Sequence, residues 1–212
     1  MITPERLDRL QLAFAQLLGG FGVAPASAYP VFDRLVESYS DVQRPYHNLE
    51  HLGEMFRVAG RIGATPTVNL AIWFHDAVYD PRAKDNEERS ADLADECLAP
   101  LGVPQLDRVR ELILATRHTG AEPADLETAI LLDADLAILG ASEERYRRYA
   151  RDIRQEYSFV ADADFASGRR RVLESFLARP RLYHSALMHL EGDAPARRNL
   201  AGELASLEKS PL

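Results

Sequence analysis

His75 and Asp76 stand side by side where an apolar run, Ala71-Ile72-Trp73-Phe74, breaks off. Imidazole nitrogen and carboxylate oxygen are ligand types that suit Zn, Mn, Fe, Co or Ni. A pair delivered from a buried helix end would sit at the rim of a cavity. The dipeptide alone is weak, because a capped helix end with a core imidazole explains it equally. Two further segments strengthen it. Arg44 to Leu52 reads RPYHNLEHL, with His47 and His51 four residues apart, and Leu131 to Gly140 reads LLDADLAILG, with Asp133 and Asp135 inside an apolar run. A buried carboxylate is costly unless paired, hydrogen-bonded or bound to a cation. An arginine salt bridge would satisfy either acid as well as an ion would.

The elements that must position these groups all read as helices. Thr3-Pro4 and Thr65-Pro66 are N-cap and first-turn signals. The first opens a helix that Gly19-Gly20 stops, and the second opens the short apolar helix Thr67 to Phe74 that presents His75 and Asp76. A helix starting near Ser27, with Pro30 in its first turn, carries Val31, Phe32, Leu35 and Tyr39. Pro45 forces an extended entry into an amphipathic helix from Asn48 to Ile62, with His51 beside its inner face. Asp85 and Glu88 form a capping-box pattern for the next helix, which Gly102 and Pro104 end. A further helix ends at His118 and Gly120, and a Leu/Ile-rich one runs from beyond Pro123 to Gly140. Ser142 to Tyr157, Asp164 to Leu177 and Ala196 to Leu207 complete the pattern, with loose ends at Met1-Ile2 and Glu208 to Leu212. No period-2 run bounded by hairpin turns is present. The expectation is an all-α, single-domain chain.

Composition narrows the function classes. The 212 residues are 46% hydrophobic and 27% charged, ordinary globular values, and the net charge of -8 argues against binding nucleic-acid backbone. Cys97 is the single cysteine, so neither an internal disulfide nor a thiolate cluster is available, and its helical setting makes it a core filler. Neither a signal-peptide pattern nor an apolar run of membrane-spanning length is found. A cytoplasmic protein without membrane association is the expectation.

The order of a histidine, an adjacent His-Asp and a distant Asp resembles the HD superfamily of metal-dependent phosphohydrolases. More narrowly, RPYHNLEHL, WFHDAVYD, DNEERSADLA and DADLAILG look like a bacterial family of predicted HD phosphohydrolases, over Arg44 to near Leu204. The resemblance implies a compact HD-domain helical bundle with additional C-terminal helices. It implies His51, His75, Asp76 and Asp135 as ligands of one divalent transition metal (Mn, Fe, Co, Ni or Zn), with Mg as a further candidate. Asp135 is preferred to Asp133 because Ala134-Asp135-Leu136 matches the context of the last ligand in the related cyclic-nucleotide phosphodiesterases. Two residues apart on a helix, the two acids point roughly 200° apart. Tyr46-His47-Asn48 with His51 also looks like a stretch of those phosphodiesterases, which makes His47 the proton donor. A capping or core histidine is the alternative there.

The implied reaction is hydrolysis of a phosphate ester or anhydride of a nucleotide or small phosphorylated metabolite. Asp76 would accept a proton from water and His47 would protonate the leaving group. Arg44, Lys84 and Arg117 lie close in sequence to the motifs and are candidates to bind phosphate charge, and His118 to bind substrate or a second ion. Glu87 and Glu88 would orient water or complete the helix cap, and His184 and His189 read as surface residues. Two alternatives stay open: an HD-type iron oxygenase, which needs more histidine and carboxylate ligands, and a non-enzymatic protein that keeps the site to bind or sense a ligand.

Overall fold

The helix Pro66–Phe74 is apolar around most of its circumference because nearly all of it is covered. Val68, Leu70, Ala71, Ile72, Trp73 and Phe74 are all buried, and the rings of Phe14, Phe32 and Phe56 lie 5.2, 5.9 and 5.0 Å from that of Trp73. The computed structural model describes residues 3–209. Its α-helices are α1 (Pro4–Gly19), α2 (Pro25–Tyr39), α3 (Leu49–Arg61), α4 (Pro66–Phe74), α5 (Asn86–Leu98), α6 (Leu106–Ala115), α7 (Leu126–Asp135), α8 (Glu143–Glu156), α9 (Asp162–Leu177) and α10 (Ala186–Lys209). Short 3-10 helices span Ala99–Leu101 and Leu136–Gly140. The protein is all-α, with no strand among the described residues.

Two apolar clusters hold the helices. One gathers α1 to α7 around α4. The other gathers α8, α9, α10, the 3-10 segment after α7 and Tyr46. Val58 and Ile62 pack against both and join them. The C-terminal helix comes close to the 3-10 segment at Gly140, where a Cβ would meet the Gly192 carbonyl oxygen at 3.0 Å, and Gly192 makes room for Tyr183, whose Cε2 a Cβ there would meet at 2.8 Å. Tyr183 in turn donates from its hydroxyl to the Leu136 carbonyl, 2.9 Å away.

Where a cap is purely local, the helix starts where the sequence indicates. Thr3, Asn48, Thr65 and Ser142 each accept a hydrogen bond from the first-turn backbone. Other boundaries differ. The second helix starts at Pro25, not near Ser27, since a proline at the first helical position gives up no hydrogen bond. Pro30 therefore lies within α2. Asp85 makes no capping bond; Asn86 instead exchanges two hydrogen bonds with the Asp80 backbone, and Glu88 pairs with Arg117. The Leu/Ile-rich helix ends at Asp135 and continues as 3-10, α9 begins at Asp162, and α10 begins at Ala186 rather than Ala196. Of the ends expected to be loose, Met1-Ile2 and residues 210–212 lie outside the described residues, while α10 continues through Lys209. Among the described residues, no helix is long and apolar enough to cross a membrane.

Candidate metal centre

The backbone turns out of α4 at His75, whose N–H donates to Ala71 O at 2.8 Å. Asp76 follows, fixed at both ends of its peptide: its N–H donates to the Tyr39 hydroxyl at 3.3 Å, and its carbonyl accepts from Arg44. His75 is 1% exposed, and its Nδ1 lies 2.9 Å from the Ile72 carbonyl. A carbonyl only accepts, so Nδ1 carries a hydrogen and Nε2 is presented to the site. From α3, the buried His51 brings its Nε2 to 3.3 Å from that of His75. The Asp76 carboxylate lies 3.1 Å from His75 Nε2. The Asp135 Oδ1, at the end of α7, lies 3.2 Å from His51 Nε2 and 3.8 Å from His75 Nε2.

This donor set fits a metal ion. Two nitrogens each about 2.0–2.1 Å from a shared tetrahedral ion lie about 3.3–3.4 Å apart, the separation of the two imidazoles. Ligand atoms of His51, His75 and Asp76 all fall within 4.8 Å of one another, so the three could hold a metal ion. Asp135 joins them through its contacts to both histidines.

The charges show how strongly the spot attracts a cation. Burial pulls the His75 pKa down, but the Asp76 charge, its hydrogen bond and the Asp135 charge outweigh that and raise it to about 9. Burial raises Asp76, yet the His75 and His47 charges hold it well below the usual carboxylate range. Asp135 is likewise low: burial is outweighed by hydrogen bonds from His118 and His51. Burial lowers His51 below the ordinary histidine value, which keeps it neutral and able to act as a ligand.

A cavity of about 570 Å³ opens over this cluster. His47, Asp76, His118 and Asp135 line one part of it, and Tyr149, Tyr157, Phe165 and Arg169 line another. His47 precedes the cap of α3, so it is not on the same helix as His51, although their ring centroids are 5.9 Å apart. It is set instead by Glu156, whose side chain is fully buried. Oε2 of Glu156 lies 2.7 Å from His47 Nδ1 and accepts from the Tyr79 hydroxyl at 3.1 Å. Its Oε1 accepts from the backbone N–H of both Tyr46 and His47 at 2.9 Å. Burial disfavours a charged His47, but Asp76, 4.0 Å from its Nε2, and Glu156 raise its pKa above the ordinary value.

His118 adopts a positive φ of 50° and places Nε2 2.6 Å from Asp135 Oδ2. Asp133 faces elsewhere, accepting from the backbone N–H groups of His184 and Ser185 at 2.8 and 2.7 Å. The three cationic residues named from sequence are not among those lining the cavity. Arg44 is buried between Tyr39 and Tyr79 and is committed to the carbonyls of Ser38 and Asp76. Arg117 is paired with Glu88, and Lys84 is exposed. Glu87 does line the cavity. His184 is half-buried with Glu122 3.2 Å from its Nδ1, and His189 is exposed.

Two residues escape sequence reading: Arg169, which lines the cavity, and Glu156, which holds His47 in its wall. Both are buried charges on helices whose sequences are rich in Arg and Glu. A signal for Glu156 exists: Tyr146, Tyr149, Ile153 and Glu156 are the buried positions of α8, so the acid continues an apolar stripe. Comparison with protein-family models, with curated proteins and with solved structures found no match.

Proposed function

We propose that this protein is a metal-dependent phosphohydrolase that cleaves a phosphate ester or anhydride of a nucleotide or other small phosphorylated metabolite. The observation that carries the reading is the convergence of His51, His75, Asp76 and Asp135, from three separate segments, beneath an open cavity. The resemblance of the four motifs to HD phosphohydrolases supports it. One divalent ion, Mn, Fe, Co, Ni or Zn with Mg as the harder alternative, would be held by those four residues. When bound, such an ion supplies a Lewis acid and lowers the pKa of water towards about 7.

The chain's own groups do the rest. Asp76 remains ionised through the histidines on either side and takes the proton of the attacking water. His47, whose pKa Asp76 and Glu156 raise, gives its proton to the leaving oxygen. His118 orients Asp135 through the 2.6 Å contact. Arg44 stays out of the substrate and fixes the peptide of Asp76.

The test is metal analysis of the purified protein followed by phosphate release from a panel of nucleotides and sugar phosphates. Turnover that His75→Ala and Asp76→Ala abolish is the expected result. Full metal occupancy without turnover on any phosphate ester would overturn the proposal in favour of a binding or sensing role. Oxygen-dependent turnover with bound iron would overturn it in favour of an oxygenase.

A further inference from the structure

The cavity is larger than a phosphate needs, and its wall from α8 and α9 has a different chemistry from the acid–histidine cluster. At about 570 Å³ the whole space is in the range of about 300–1,000 Å³ that encloses small organic ligands. That wall includes Tyr149, Ile153, Tyr157, Phe165 and Val172, and Arg169 is the single arginine or lysine among the described residues that line the cavity. Arg169 is 8% exposed and held rigidly: Nε and Nη2 donate to Glu203 at 2.8 and 3.0 Å, and Nη1 donates to the Tyr149 hydroxyl at 3.4 Å. Those bonds use three of a guanidinium's five N–H groups, so two remain for a ligand.

The balance of charge decides what those two donors can take. Glu203 offsets the charge of Arg169 at a contact of 2.8 Å, so the pair presents hydrogen-bond donors rather than a free positive charge. Glu87 and Asp164, both acidic, line the same cavity. A second phosphate or a carboxylate would be repelled by those acids, His47 being committed to the leaving oxygen, whereas an uncharged acceptor would not be repelled.

We infer that this wall is a subsite for a flat, uncharged ring bearing a carbonyl or ring-nitrogen acceptor, and that Arg169 is the residue that reads that acceptor. The inference rests on the phosphohydrolase reading for the other end of the ligand, a single phosphoryl group at the His51, His75, Asp76 cluster. It makes monophosphate esters of such rings the substrate class and disfavours their triphosphates. The aromatic and apolar side chains of this wall would cover the faces of the ring and leave its polar edge to Arg169.

Non-hydrolysable phosphonates test the subsite without relying on turnover. Binding of benzylphosphonate, its 4-carbamoyl derivative and its 4-carboxy derivative to the Mn-loaded full chain is measured by calorimetry, together with two-ring homologues that reach further. The expected result is roughly tenfold tighter binding of a carbamoyl compound than of its unsubstituted parent, no gain for the carboxylates, and loss of the carbamoyl preference in Arg169→Lys. Lysine keeps the charge but loses the planar fork, and thermal unfolding checks that this variant is folded. Equal binding of carbamoyl and parent compounds at both lengths, or no binding of any phosphonate, overturns the inference. A preference that survives in folded Arg169→Lys overturns the role of Arg169. If the preference holds while the matching phosphate esters are not hydrolysed, the subsite stands and the phosphohydrolase reading fails.

Discussion

Glu156 grips His47 at two points and Tyr46 at a third: one carboxylate oxygen is 2.7 Å from the His47 Nδ1 and the other accepts the His47 and Tyr46 backbone N–H groups. The ring's Nε2 is thereby turned towards Asp76, 4.0 Å away. Burial opposes charge on both partners, yet each stabilises the ionised form of the other; Glu156 lies below the usual glutamate range and His47 above the usual histidine value. Glu156→Gln keeps the shape and removes the charge, so the His47 pKa falls. The expected readouts are a lowered His47 titration midpoint by NMR and a basic limb of the activity profile shifted to lower pH. An unmoved midpoint would remove Glu156 from this role. A raised folded-state pKa contributes stability that is complete below the unfolded histidine pKa and is lost as pH rises through the folded value. Glu156, being lowered, contributes stability that is lost as pH falls through its folded value, so the Gln variant loses most between the glutamate and histidine ranges, and less at strongly acidic or alkaline pH.

Asp133 and Asp135 are two residues apart and serve different purposes. Asp133 is fully buried and anchors the start of α10 through the His184 and Ser185 N–H groups. Asp133→Ala strands both donors and is expected to cost about 2–5 kcal/mol, read by chemical denaturation, with metal affinity retained in the folded fraction. Asp135→Asn is expected to weaken metal binding by about tenfold or more with a smaller effect on unfolding. A reversal of these two phenotypes would exchange the assignments.

Local signals explain what was legible before the fold was known. Thr3-Pro4, Asn48 and Thr65-Pro66 announce helix starts because a cap involves only its own first turn. The His75-Asp76 pair was legible because a polar dipeptide ending an apolar helix is a feature of one segment. Glu156 and Arg169 were not, because their partners lie on other elements: Glu156 meets His47 across the chain, and Arg169 meets Glu203 on α10. The Asp85 capping box failed for the same reason, since Arg117 claims Glu88. Arg44 lies next to the motif in sequence, but its guanidinium is used to brace a backbone carbonyl.

That bracing role separates Arg44 from Lys84 and Arg117. Lys84→Ala and Arg117→Ala change residues outside the cavity lining and should leave KM within about twofold, surface changes generally costing little. Arg44→Lys loses the paired donors to the Ser38 and Asp76 carbonyls. It should weaken metal affinity and kcat while KM holds, since the displaced group is Asp76. A KM rise confined to Arg44→Lys would instead place the guanidinium on substrate.

Metal uptake should be visible as proton release. With a pKa of about 9, His75 carries a proton at neutral pH in the absence of an ion, whereas His51, lowered by burial, does not. A ligand nitrogen must lose its proton before it can bind, so Zn or Mn uptake at pH 7 is expected to release about one proton. Calorimetric titration in two buffers of different ionisation enthalpy measures the number. Affinity should rise by about tenfold per pH unit in the interval below that pKa and flatten above it. The metal-free chain shows the opposite trend in stability: the His75 contribution is complete below the unfolded histidine pKa and is lost as pH rises through about 9. The gain in thermal stability on adding metal should therefore grow from pH 6 to pH 9. A gain that is flat across that range, with no proton released, would mean that the ion binds somewhere other than His75.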